Sequence, residues 1–134
     1  MERYLLDTDT CVFIHRERPE ALLRRFQSVR PGEAVISVIT YGELLYGAAR
    51  SVKRDESLQR IHGFVAIVPA LPLPEQAAAL YGEIRAELEA KGEMIGNNDL
   101  WIAAHALASG LILVSNNEKE FRRVRGLKVQ NWAA

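Results

Sequence analysis

Aspartate is scarce in this chain, limited to Asp7, Asp9, Asp55 and Asp99. Two of these stand in LLDTDT, residues 5–10, one threonine apart behind a pair of aliphatic residues. The stretch has three readings: an Asp-x-Asp-x-Thr nucleophile of the aspartyl-phosphatase kind, a metal-binding carboxylate at a strand end, or a capped helix start. Further oxygen donors lie at Glu43, in IGNNDLW around Asp99, and in SNNEKEF, which carries Asn116, Asn117, Glu118 and Glu120. Carboxylates gathered in one place raise one another's pKa unless a cation neutralises them. A donor set of hard oxygens without histidine or cysteine suits Mg²⁺ or Mn²⁺ rather than zinc.

The elements that must hold these residues are short strands alternating with helices. Arg3–Leu6 reads as a buried strand ending at Asp7, with Thr8 or Asp9 capping a helix toward His15. Pro19 suits the first turn of a second helix that ends before Pro31-Gly32. Ala34–Ser37 reads as a second strand. It leads into a helix over Val38–Arg50, whose Gly42, Gly47, Ala48 and Ala49 would permit close packing. Another helix covers about Arg54–Phe64, and Ala66–Pro69 reads as a third strand. PLPEQAAALYGEIRAELEAKG places Leu80, Ile84 and Leu88 at i, i+4 spacing and stops on Gly92. Asn98–Ser109 is a further helix ended by Gly110, Leu111–Ser115 a buried strand, and Leu127–Gln130 a last strand. The alternation predicts an α/β/α sandwich around a mostly parallel sheet, with ligands outside the carboxyl ends of the strands.

That rule sorts the acidic residues. Asp7 follows the first strand, Glu43 sits in the second turn after the second strand, Asp99 opens the helix before LILVS, and Asn116 and Glu120 follow LILVS. A single aspartate at a helix start is more often a cap than a ligand, and Glu43 alone reads as a solvated helix residue. The joint placement of Asp7, Glu43 and Asp99 is what those separate explanations leave out. Asp9 is read as a cap or local hydrogen-bonder, His105 as structural, and Cys11 as a buried thiol. His15 and His62 show no metal spacing.

Bulk properties narrow the class further. The 134 residues suffice for one domain, residues 1–134, with a single core. The formal net charge is zero, so no global nucleic-acid signature exists. No apolar run is long enough to span a membrane, no signal-peptide core follows the N-terminus, and one cysteine cannot form an internal disulfide. A cytoplasmic location is expected. Arginines crowd near the C-terminus at Arg122, Arg123 and Arg125. They are candidates for gripping a phosphate backbone, because the guanidinium fork donates bidentately. The phosphatase reading lacks its downstream parts: after LLDTDT the chain offers Asp99 but no Asp-Asp or Gly-Asp-x-x-x-Asp.

Taken with their spacing, LLDTDTCVFI, SVITYGELLYGA and EIRAELEAKGEMIGNNDLWIAAHALASGLILVSNNEKEFRRVRGLKVQNW resemble, almost end to end, the VapC toxins. These are PIN-domain endoribonucleases of bacterial type II toxin–antitoxin systems. The resemblance implies a PIN-domain-like fold and places Asp7, Glu43 and Asp99 on the family's acidic metal-binding positions. Asp9 stands where asparagine is usual, and Asn116 where many relatives carry aspartate. Asn116 and Glu120 thus become candidate outer-shell groups. It further implies a Mg²⁺-dependent cut in RNA, with Mn²⁺ as a substitute cofactor and tRNA as the favoured substrate. A homodimer, inhibition by a VapB-type antitoxin, and operator DNA bound only through that antitoxin complete the expectation. A PIN-like module that binds RNA or a partner without cutting is the alternative.

Overall fold

Side-chain alternation along the first strand sets the architecture. The computed structural model describes residues 1–134. In β1 (Tyr4–Leu6), Tyr4 and Leu6 point to one face of the sheet and Leu5 to the other, and all three are buried. A strand buried on both faces needs helices on both sides. The chain supplies them in the order α1 (Thr8–His15), α2 (Glu20–Gln27), β2 (Ala34–Ser37), α3 (Val38–Ala49), α4 (Arg54–Ile67), β3 (Ala70–Leu71), α5 (Gln76–Lys91), α6 (Asn97–Ser109), β4 (Ile112–Val114), α7 (Glu118–Phe121) and β5 (Val129–Gln130). The sheet order is β3-β2-β1-β4-β5 and every pair is parallel, so the expected mostly parallel sheet is wholly so. β1 lies at the centre, with Tyr4 opposite Ala34 on one side and Ile112 on the other.

Two apolar clusters fill the space between the layers. Leu5, Val35 and Leu113 meet Ile84 and Leu88 of α5 and Leu100 and Ile102 of α6. On the other face Leu6, Ile36 and Val114 meet Ile14, Leu22, Leu44, Ile61 and Phe64 from α1 to α4. Trp132 closes that second cluster edge-on against Tyr4, with ring centroids 5.1 Å apart. Gly92 and Gly110 end α5 and α6 at φ 67° and 66°, a left-handed conformation that glycine adopts without a Cβ penalty.

Four local expectations change. The strand expected at Ala66–Pro69 is helix up to Ile67, and the third strand is Ala70–Leu71. α1 is capped by Asp7 itself, whose side chain accepts from the Thr10 amide, rather than by Thr8 or Asp9. Pro19 precedes α2 as its N-cap residue. Gly42 and Gly47 do not mediate close packing: a Cβ at either would meet nothing within 4 Å.

Candidate active site

The carboxyl ends of β1, β2 and β4 and the start of α6 meet at one edge of the sheet. Asp7 ends β1 and is only 3% exposed. Its Oδ1 accepts from the Thr10 amide at 2.8 Å, and its own amide donates to the Val114 carbonyl at 3.0 Å. Burial raises its carboxyl above the ordinary value, while hydrogen bonding from Ser115 and Thr10 pulls the other way. Asp7 therefore serves as both helix cap and edge carboxylate.

Glu43 is delivered by α3. That helix starts on Ser37, whose Oγ accepts from the Ile39 amide at 3.1 Å and lies 2.8 Å from His105 Nδ1. His105 is fully buried and ties α3 to α6, the structural part expected of it. One turn on, Glu43 Oε1 accepts from the Thr8 hydroxyl at 2.5 Å. Sequence reasoning gives Thr8 no more than a capping part; its position next to Asp7 is the one signal that points to this contact.

Asp99 stands in the first turn of α6, with its Oδ2 3.5 Å from where a Cβ on Gly96 would be. Burial first, then the charges of Asp7, Glu43, Asp9 and Glu120, push its carboxyl up to about 6. Four acidic side chains from three other segments thus act on one half-buried carboxyl. Asn116 lies beside them in sequence after Ser115, and its Oδ1 is buried without a hydrogen-bond partner. Asp9 is exposed, yet its charge reaches both Asp7 and Asp99.

The arginines of the C-terminal turn are engaged elsewhere. Arg122 pairs with Glu118 at 2.7 Å and Arg125 with Glu87 at 2.9 Å. Arg123 donates to the carbonyls of Glu93 and Met94, at 3.4 and 3.1 Å, in the segment leading to α6. The histidines and the thiol also lie outside the edge chemistry. His15 packs on Phe64 with ring centroids 4.8 Å apart, and Cys11 is buried, its thiol pushed well up by desolvation.

The donors fit a hard divalent cation in kind: carboxylates that repel one another, and an amide oxygen buried without a partner. No three of the carboxylates are already drawn together around one point. Asp7 Oδ1 accepts from the Thr10 amide and Glu43 Oε1 from the Thr8 hydroxyl, which leaves the second oxygen of each carboxylate for an ion. Beside the edge runs an open groove of about 700 Å³ bordered by Thr8, Gly42, Glu43, Tyr46, Arg50 and Asn98.

Comparisons with known proteins agree with this fold. Residues 4–127 match the PIN domain. The chain is 42% identical over 132 residues to ribonuclease VapC2 of Haemophilus influenzae strain Rd, covering 98% of this chain and 99% of that one. It is 40% identical over 133 residues to the tRNA(fMet)-specific endonuclease VapC of Shigella flexneri, covering 99% and 100%. Among solved structures, the DNA-bound VapBC of Salmonella typhimurium superposes with a TM-score of 0.92 at 39% identity, over 98% of this chain and 99% of that chain. No helix is long and apolar enough to cross a membrane. With a parallel sheet of PIN topology, an acidic edge and relatives of this kind along its whole length, the chain belongs to the VapC family of PIN-domain ribonucleases.

Proposed function

We propose that residues 1–134 act as one PIN domain, the toxin of a type II toxin–antitoxin pair that cleaves tRNA with Mg²⁺ and is restrained by a VapB-type antitoxin. The observation that carries the metal site is the crowding around Asp99, whose carboxyl is pushed up to about 6 by burial and by Asp7, Glu43, Asp9 and Glu120. Such crowding is unfavourable for a scaffold and useful for holding a cation. PIN-domain nucleases as a family depend on divalent metal ions; Mg²⁺, with Mn²⁺ as substitute, matches the all-oxygen donors here.

Asp7, Glu43 and Asp99 would hold the ion, with Asn116 Oδ1 and Glu120 behind them. When bound, the ion lowers the pKa of water and neutralises charge on the phosphate being cut. The protein residues do the rest. Asp7 is fixed by the Thr10 amide, Thr8 keeps Glu43 within reach, and the Ser37–His105 contact sets α3 against α6. Attack on the phosphorus by water in line with the leaving 3′ oxygen gives a 5′-phosphate and a 3′-hydroxyl, without the RNA 2′-OH as nucleophile.

The relatives from Shigella flexneri and Salmonella typhimurium are tRNA(fMet)-specific endonucleases, and the Salmonella structure is a VapBC complex on DNA. We extend both to this chain: initiator tRNA as substrate, and operator DNA bound through the antitoxin alone. A homodimer working in the cytoplasm completes the reading. The test is cleavage of initiator tRNA by purified protein. Expected are dependence on Mg²⁺ or Mn²⁺, arrest by EDTA, and an intact cut when the nucleotide at the cleaved bond is replaced by its 2′-deoxy form. Full cleavage in EDTA, or loss of the cut on 2′-deoxy substitution, would overturn the mechanism.

A further inference from the structure

An acidic edge repels the polyanion it is to cut, so cations must flank it. The arginines of the C-terminal turn already have local partners in Glu118, Glu87 and the Glu93 and Met94 carbonyls. Two concavities adjoin the edge and share Thr8 and Glu43 as a common wall. One is the groove along α3, which ends at Arg50; the other, about 270 Å³ between α1, α3 and α4, carries Arg60. Neither Arg50 nor Arg60 is in an ion pair. Each borders a concavity that also contains Glu43, one on either side of it.

The floor of the α3 groove is suited to a flat ligand. Gly42 and Gly47 border it with open space where a Cβ would stand, and Tyr46 lies on the same helix with 64% of its surface exposed. The Arg50 guanidinium lies 5.3 Å from the Tyr46 ring centroid. That guanidinium, outside any ion pair, lies over one face of the ring, and an exposed aromatic ring with a cation on it is a pairing that stacks an unpaired base and holds its phosphate. Asn98 joins this groove to the pocket that contains Asp99. A strand lying along α3 would therefore run directly past the acidic edge.

Resting on the ribonuclease reading above, we infer that the RNA strand is gripped along α3 and α4: one base stacks on Tyr46, Arg50 holds a phosphate on one side of the cut, and Arg60 holds a phosphate on the other. The C-terminal arginines are scaffold. The charge of the flanking groups favours RNA over an antitoxin segment as occupant, because two free cations bracket a site that must accept phosphates.

The experiment measures binding of a fluorescein-labelled RNA stem-loop, carrying the anticodon arm of initiator tRNA, across a salt series with Mg²⁺ present. The Asp99→Asn form is used so that the RNA survives, and cleavage by the same variants in the Asp99 protein is followed in parallel. Arg50→Ala with Arg60→Ala is expected to weaken binding at least tenfold and to flatten the log–log salt slope by about 1.4, two phosphates' worth on single-stranded RNA. Tyr46→Ala is expected to lose about tenfold at constant slope, and Tyr46→Phe to keep wild-type binding. Arg122→Ala with Arg125→Ala is expected to change neither. Unaltered binding and slope in the Arg50/Arg60 pair would overturn the inference, as would an intact RNA affinity with lost VapB binding, which would assign the groove to the antitoxin. If the wild-type protein cleaves the stem-loop while these variants behave as wild type, only the groove assignment fails. Absence of any cleavage by the wild-type protein would instead count against the ribonuclease reading.

Discussion

The acidic edge and the arginine-rich turn after β4 are both dense in charge, and they settle it in opposite ways. In the turn, each arginine has a local partner: Glu118 for Arg122, Glu87 for Arg125, and two backbone carbonyls for Arg123. At the edge, carboxylates face carboxylates, one is pushed up to about 6, and the Asn116 oxygen is buried without a partner. Density of charge in the sequence does not separate the two regions. What separates them is whether the fold supplies partners, and the region left without them is where a ligand has something to contribute.

The largest expected effect would break this contrast directly. Asp99→Asn is expected to reduce RNA cleavage by about a thousandfold or more, because in the proposed site it removes a metal-binding carboxylate and with it several kcal/mol of charge stabilisation. The same substitution is expected to raise the melting temperature of the protein in EDTA at neutral pH. The sign comes from linkage. The folded state holds the Asp99 proton up to about 6, whereas an unperturbed aspartate loses it near 3.8. The contribution of this group to stability is therefore full below the lower value and falls as pH rises through the upper one. In EDTA the wild-type protein is expected to lose melting temperature between these pH values relative to Asp99→Asn, and added Mg²⁺ to restore it at neutral pH. A variant that melts lower than wild type at neutral pH would make Asp99 a scaffold residue.

A second substitution sharpens the contrast within the edge itself. Thr8→Val keeps the shape of the side chain but removes the hydroxyl that Glu43 Oε1 accepts from. Cleavage is expected to fall about tenfold, the order of one lost charge-assisted hydrogen bond, with the Mg²⁺ midpoint shifted and the fold unchanged by circular dichroism.

The turn gives smaller effects. Arg123→Ala removes the donor to the Glu93 and Met94 carbonyls and is expected to cost about 1 kcal/mol in urea unfolding, with cleavage reduced only as far as the segment before α6 loosens. Arg122→Ala or Arg125→Ala breaks an exposed ion pair and is expected to leave the melting temperature within about 1 °C of wild type. A large loss from either would mean that the turn is not a self-contained network.

The strand-end rule is enough to gather Asp7, Glu43 and Asp99 from the sequence, because strands as short as AVIS and LILVS have sharp carboxyl ends in the residue pattern. β2 matches its expected bounds, and Gly92 and Gly110 mark the ends of α5 and α6 as read. The third strand is misplaced by the same kind of reading because FVAIV is apolar throughout, and such a run fits a buried strand or the end of a helix equally. In the fold it is helix through Ile67, with Phe64 and Val68 buried and Ile67 60% exposed. α7, four residues long, is too short to display a period. The arginine partners are illegible for a different reason. Arg125 and Glu87 are 38 positions apart, and no local pattern announces a contact of that range.

The central place of β1 has a bearing on when the molecule can exist at all. β1 is made early, but its β4 partner begins at Ile112 and β5 comes only at Val129, so half of its hydrogen-bonding edge stays unpaired until residues beyond these have left the ribosome. Asp7 is fixed in that same pairing, through its amide to the Val114 carbonyl. A nascent or truncated chain ending before β4 thus cannot set its first carboxylate. Closure across more than a hundred residues is also slow relative to local helix formation. Synthesis itself therefore imposes a delay between the first translated codon and the first competent molecule, an interval in which a neighbouring polypeptide can already be folded and waiting.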